Sequence, residues 1–334
     1  MQKKLIAMAV AGMIAAPAFA QSNVTVYGII DTFLGYGKAG DTKFSGVDYG
    51  TTAGSRLGFK GSEDLGNGLK ATFTLEQGFD SSDGSANSTR QFHRQAWVGL
   101  DGAFGFVGIG RQYAPGYMTY KYDPLFGGTF DTRTTVNAGL SLRVTSQQRW
   151  DNSVVYQSKS MGGFSARLAY GFGSTETGAS RGDDNKVGVG LNYDNGPLSV
   201  SYVYINDGNF VSATQDSKEH YIGAAYDFGG FKLMGSWQTA DQGANDVDVY
   251  QIGGAVNVSA AGSIRVAYAG RKDDAKDKDA KSLGLGYFHS MSKRTQVYVG
   301  VNRTNNDKAQ TMGVLAKETG KNSTLVGVGI AHTF

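Results

Sequence analysis

The chain is 334 residues long, holds no cysteine and carries a formal charge of +3; setting aside Lys3 and Lys4 leaves +1. A balance so close to neutral gives no basis for nucleic-acid binding, and the missing thiols exclude a disulfide framework, thiol chemistry and a thiolate metal site. The 49 glycines argue against a dense soluble core, because glycine weakens the interior of packed strands.

In chain order, Lys3 and Lys4 precede an apolar stretch from Leu5 to Ala16, and Ala18-Phe19-Ala20 supplies a small-x-small cleavage pattern. Residues 1–20 therefore read as a signal peptide and 21–334 as a single exported domain. The stretch is shorter than the roughly twenty apolar residues that a spanning helix takes. Beyond it, apolar and polar residues trade places one by one. Leu69, Ala71, Phe73 and Leu75 alternate with Lys70, Thr72, Thr74 and Glu76, and Leu198, Val200, Tyr202 and Tyr204 with Ser199, Ser201 and Val203. Successive side chains of a strand point to opposite faces, so this is strand period.

The pattern predicts strands near 24–36, 55–62, 69–79, 92–100, 105–112, 149–158, 163–172 and 186–194, then near 197–206, 218–227, 231–240, 247–257, 263–271, 281–289, 294–303 and 323–334. Tight turns rich in Gly, Asp and Asn fall at Glu63–Gly68, Asp101–Gly105, Asp194–Gly196, Asp227–Gly230 and Ser290–Lys293, while the other connections are longer and polar. An all-β chain of this kind must close its edges or aggregate. One short end, one long end and about sixteen segments are the plan of a transmembrane antiparallel barrel, with short periplasmic turns and long external loops. Barrels of about 16 to 18 strands are too wide for side chains to fill and leave an aqueous channel. A mean hydropathy of −0.29 agrees with a barrel whose wet inner face and greasy outer face cancel. Tyr170, Phe172, Tyr193, Tyr226, Phe228, Tyr268 and Tyr287 sit near segment ends, where aromatic girdles meet the headgroup layers.

The longest connection runs from about Tyr113 to Ser141 and contains Pro115 and Pro124 in YAPGYMTYKYDPLFGGTFDTRTT, unlike the Ser- and Asp-rich tip between Asp80 and Ser88. So many rings would be poorly placed in water, so the loop is expected to fold into the barrel and narrow it, with Tyr120, Asp123, Pro124, Leu125, Phe126 and Asp131 on the constriction. A loop packing outside on its neighbours is the alternative.

In SRLGFKGS, Leu57 and Phe59 take one face and Arg56 and Lys60 the other. A charge on the lipid face at mid-depth costs about 2 to 4 kcal/mol, so the basic pair belongs in the lumen. Arg94, Arg111 and Arg149 occur in the next strands on either side of the loop; Arg94 is assigned to the lumen because Trp97 then faces lipid. Together they form a basic wall that raises local anion concentration, or else they pair with strand-end carboxylates without acting on solutes. The four histidines, His93, His220, His289 and His332, form no metal pair and no nucleophile motif, so no catalytic residue, metal or cofactor is assigned. The run from Arg271 to Lys281 either binds divalent cations that bridge lipopolysaccharide or is a solvated loop.

Ser55 to Phe79, SRLGFKGSEDLGNGLKATFTLEQGF, and Arg94 to Pro115, RQAWVGLDGAFGFVGIGRQYAP, closely resemble the general porins of Gram-negative bacteria, as do DNSVVYQS at Asp151 to Ser158 and the terminal GVGIAHTF. The likeness spans essentially the whole mature chain and is greatest to the betaproteobacterial type, neisserial and Burkholderia porins among them. It implies a sixteen-stranded barrel in the outer membrane, a homotrimer, a third external loop folded inward, and a basic wall at Arg56, Lys60, Arg94, Arg111 and Arg149. It also implies contact with outer-membrane lipid and lipopolysaccharide, and recognition of Phe334 by the barrel assembly machinery. Enterobacterial relatives carry a glutamate in a Pro-Glu-Phe-Gly-Gly stretch, where this chain has Pro124-Leu125-Phe126-Gly127-Gly128. The expected function is passive diffusion of small hydrophilic solutes and inorganic ions with mild anion selectivity, Asp123 and Asp131 facing the basic wall. The alternatives are a substrate-specific channel using Tyr113, Tyr117, Tyr120 and Tyr122 as an aromatic slide, an outer-membrane enzyme, and an adhesin.

Overall fold

Alternation with a period of two gives every strand an apolar and a polar face, and the chain satisfies both by wrapping one antiparallel sheet into a closed barrel. The computed structural model describes residues 23–334 apart from 51, 126, 139, 141, 143–147, 174–183, 213–214 and 244. The proposed signal peptide, residues 1–20, lies outside the described residues. The strands are β1 (Asn23–Ala39), β2 (Thr42–Tyr49), β3 (Arg56–Gly66), β4 (Leu69–Gly78), β5 (Gln95–Gly102), β6 (Gly105–Tyr113), β7 (Arg149–Gln157), β8 (Phe164–Gly171) and β9 (Lys186–Asn195). They continue as β10 (Leu198–Ser212), β11 (Gln215–Asp227), β12 (Phe231–Asp241), β13 (Asp246–Asn257), β14 (Gly262–Asp273), β15 (Ala280–Ser290), β16 (Thr295–Asn306) and β17 (Ser323–Thr333).

The seventeen elements make sixteen staves, because β2 and β3 share one edge of β1 end to end: Thr32–Ala39 pairs with β2 and Asn23–Ile29 with β3. The other edge of β1 pairs with β17 from Ile29 opposite Thr333 to Ala39 opposite Ser323, which closes the sheet and removes its edges. The last residue takes part: Gly28 N–H donates to the Phe334 carbonyl at 3.2 Å and Phe334 N–H to the Gly28 carbonyl at 3.1 Å. All sixteen expected strands form. The additional β2 and the break that follows it, between Tyr49 and Arg56, are absent from the sequence reading.

Leu34, Val98, Ile109, Ile252 and Val328 are more than half exposed on the outer face, where membrane hydrocarbon covers them. Aromatic contacts mark both rims of this belt. Phe164 lies 4.5 Å from Tyr193 and Phe228 stacks on Phe231 at 4.4 Å beside the short turns, while Tyr170 meets Phe172 at 4.9 Å at the opposite end.

The interior core lies between the inner wall and the β6–β7 connection. That connection starts as a 3-10 helix, Pro115–Tyr122, and includes a short α-helix, α1 (Thr132–Val136). Ala114, Met118, Tyr122 and Leu142 pack on Trp150, Val203, Ile205, Tyr221 and Met234; Val136 and Leu140 on Ala240, Val247, Val249 and Met312; Leu125 and Phe130 on Phe33, Phe288, Tyr298 and Leu325. The connection thus lines the wall from β7 round to β1 with apolar side chains. The β3–β6 sector remains bare, and the lumen is offset toward it.

Candidate functional site

Two chambers meet in that sector. The one on the side of the long loops, about 520 Å³, is lined by Arg56, Arg94, Arg149, Tyr113, Tyr117, Tyr120 and Asp131 among others. The second, about 580 Å³, lies toward the chain termini and is lined by Lys60, Gln95, Trp97, Gln112 and Arg167, again with Tyr113 and Tyr117. Tyr113 and Tyr117 are therefore the neck. Their ring centroids are 3.9 Å apart, and Tyr120 continues the row 4.1 Å from Tyr117.

The three arginines are held in different ways. Arg56 donates through Nε to the Gly54 carbonyl at 2.9 Å, where the broken stave exposes a free backbone oxygen. Arg94 donates through Nε at 2.8 Å to Glu76, which also accepts from the Tyr27 hydroxyl at 3.0 Å. The Arg149 guanidinium sits 4.6 Å over the Tyr113 ring and donates to its hydroxyl at 2.8 Å, fixing the neck residue from above. Lys60 follows Arg56 by four residues on the same inner face, its ammonium 5.1 Å from the centre of the Tyr27 ring.

Several expectations require correction. Arg111 lines neither chamber: it pairs with Asp151 at 2.7 Å and donates to the backbone carbonyls of Arg149 and His93. Alternation along β6 puts Arg111 on the face of the exposed Ile109 and Gln112 on the inner face with Phe106; the register shift against β7 between Gly110 and Gln112 lets the next residue, Tyr113, line the lumen as well. Trp97 faces the lumen, edge-on to Phe106 at 5.1 Å, while Val98 and Leu100 face out. Arg94 still reaches the chamber because regular pairing of β5 starts only at Gln95. Pro124 and Leu125 are buried against the far wall, and Asp123 is buried with them, away from the chambers. Phe126 lies outside the described residues.

Asp131 lines the first chamber and caps α1, accepting from Thr134 N–H at 2.7 Å and Thr134 hydroxyl at 2.6 Å. Asp123 accepts from the Leu125 N–H at 2.9 Å, and burial, reinforced by the neighbouring Asp131 carboxylate, raises its pKa well above the usual carboxylate range. A carboxyl raised in this way supports the seated loop fully below the ordinary carboxylate pKa and loses that support as pH rises through its own value. Asp123→Asn, which preserves the shape of the neutral acid, is expected to flatten the pH dependence of the guanidinium unfolding midpoint in detergent. Parallel wild-type and variant pH curves would contradict this.

Two residues with structural weight have no place in the sequence reading, Asp31 and Arg167. Arg167 shares its inner face with Ala169, the parity that picked out Arg56, and the same argument would have found it.

A closed barrel with an apolar belt, an inward-folded loop and a restricted polar lumen defines a membrane channel. The chain belongs to the Gram-negative porin family, whose model matches residues 7–309. It is 35% identical to outer membrane porin protein 32 of Delftia acidovorans and 33% identical to an outer membrane porin protein of Bordetella pertussis, each over the whole of both chains. Major outer membrane protein P.IB of Neisseria meningitidis is 29% identical over the same extent. Among solved structures, the anion-selective porin from Comamonas acidovorans superposes with a TM-score of 0.83 at 31% identity, covering 94% of this chain and all of the other. The protein is an outer-membrane porin of a Gram-negative bacterium, and the members of its family are channels rather than enzymes.

Proposed function

We propose that this porin passes small hydrophilic solutes and ions with a preference for anions, and that Arg56, Arg94 and Arg149 set the preference at the neck while Tyr120 and Asp131 form the facing wall. One observation carries the reading: three guanidinium groups share a chamber whose lining, among the described residues, contributes a single carboxylate, Asp131. Such a wall concentrates anions by focusing the field between low-dielectric surfaces. The solved relative named as anion-selective supports the same sign. Planar bilayers under a potassium chloride gradient are expected to give a reversal potential on the chloride side, larger in dilute salt than in concentrated salt because mobile ions screen the wall. A potassium-side potential would overturn the proposal.

A homotrimer is the proposed assembly, supported by the trimer form in which the similarly folded OmpT of Vibrio cholerae has been solved. Removal of residues 1–20 on export, recognition of Phe334 during assembly, and lipopolysaccharide at the outer face belong to the same proposal.

A further inference from the structure

Behind the neck, the second chamber carries positive charge that no described residue neutralises. Arg167 spends three of its five N–H donors on neutral acceptors: two on the Tyr113 carbonyl, at 3.2 and 2.7 Å, and one on Gln157 Oε1 at 3.3 Å. Among the described residues, no carboxylate lies within ion-pair distance of Arg167 or Lys60. The chamber's one carboxylate, Asp101, is engaged by Lys159 at 2.6 Å. Lys60 stands four residues along the strand from Arg56, about 13 Å at the rise of an antiparallel strand, so the two belong to separate places along the path. The rest of the lining is amphipathic: Trp97 braced by Phe106, Tyr117, and the amides of Gln95 and Gln112.

We propose that this chamber is a second binding station, on the chain-terminus side of the neck, for small monocarboxylates that carry a flat apolar body. The carboxylate lies between Lys60 and the free donors of Arg167, and the ring rests on Trp97 and Tyr117. Arg167 also holds the main chain of Tyr113, so an anion that engages it touches the group that positions the neck. The station goes beyond the ion preference proposed above, since a basic wall alone would not distinguish an aromatic from an aliphatic acid of equal charge.

The test uses the full-length mature protein in planar bilayers, with benzoate and acetate as probes added to each side in turn. Saturable block of the current is expected, tighter for benzoate than for acetate. Lys60→Gln is expected to weaken benzoate block by about fivefold, the effect of losing one partly solvated charge contact. Trp97→Ala is expected to remove the preference for benzoate over acetate; if it does not assemble, Trp97→Leu tests the same loss of a ring. Equal block by the two acids overturns the station, as does benzoate block that Lys60→Gln leaves unchanged and Arg56→Gln weakens. A potassium-side reversal potential with benzoate block intact would instead sink the ion-preference reading and leave the station standing.

Discussion

Replacing Arg56 and Arg94 together by glutamine is expected to swing the reversal potential toward the cation side, lowering the anion-to-cation permeability ratio by about tenfold in dilute salt. A unit charge about 4 Å from a passing ion is worth about 1 kcal/mol in water, and salt reduces this, so two charges account for a change of that order. Arg94 contributes twice. Its partner Glu76 is almost wholly buried, with a side chain only 4% exposed, and after the substitution it keeps the Tyr27 hydroxyl and no cation at 2.8 Å. The wall then loses a positive charge and acquires an uncompensated negative one. Arg94→Lys should retain most of the selectivity, because Glu76 remains paired, whereas Glu76→Gln should raise anion preference. A potential that does not move in the double variant would remove both arginines from the ion path.

Asp31→Ala is expected to cost about 3–5 kcal/mol in the unfolding free energy of the detergent-solubilised barrel, the largest single-site loss outside the apolar core, since it strands several buried donors at about 1–3 kcal/mol each. Asp31 is fully buried in the middle of β1. Its Oδ2 accepts from Thr52 N–H and Thr52 hydroxyl, each at 2.7 Å, and from Ala53 N–H at 2.8 Å, while Oδ1 accepts from the Tyr298 hydroxyl. The Thr52 and Ala53 donors come from the break between β2 and β3, where strand pairing does not satisfy the backbone, and the Tyr298 hydroxyl comes from β16. The carboxylate therefore replaces the ladder at the one interrupted stave. The break also seats the inward loop: Gly127 has φ of +117°, and any side chain there would collide with the Thr52 carbonyl. Loss of Asp31 should thus raise open-channel current noise as well as lower the guanidinium midpoint. Tyr298→Phe removes one donor and should cost about 1 kcal/mol. Equal midpoints for Asp31→Ala and Tyr298→Phe would show that the carboxylate does not organise the break.

Much of this molecule follows from local pattern. Period-two alternation and turn residues place all sixteen staves, because lipid outside and water inside impose one polarity on each face along the whole length of a strand. Parity alone puts Arg56 and Lys60 on the inner wall. The missed hairpin had a local sign of its own, a two-residue Gly40-Asp41 turn joining Ala39 to Thr42. The strand after it carries Lys43, Ser45 and Gly46, and it lacks the apolar face that marks the others.

What remained illegible depends on contacts between residues far apart in the chain. Parity along β6 sets Arg111 beside the outward Ile109, but its pairing with Asp151, and the slip that turns both Gln112 and Tyr113 to the lumen, exist only where β6 meets β7. The acids of the inward loop looked equivalent, and packing buries both, but Asp131 borders the first chamber while Asp123 is turned to the wall; that placement is decided by the wall opposite, which the loop's own residues do not specify. The sequence by itself determined a closed, wet-cored barrel with a basic inner face, since alternation is a property of neighbouring residues. Only the tertiary structure decided where the neck lies and which charges face it, because those follow from one loop's apolar side chains choosing the apolar side of the wall.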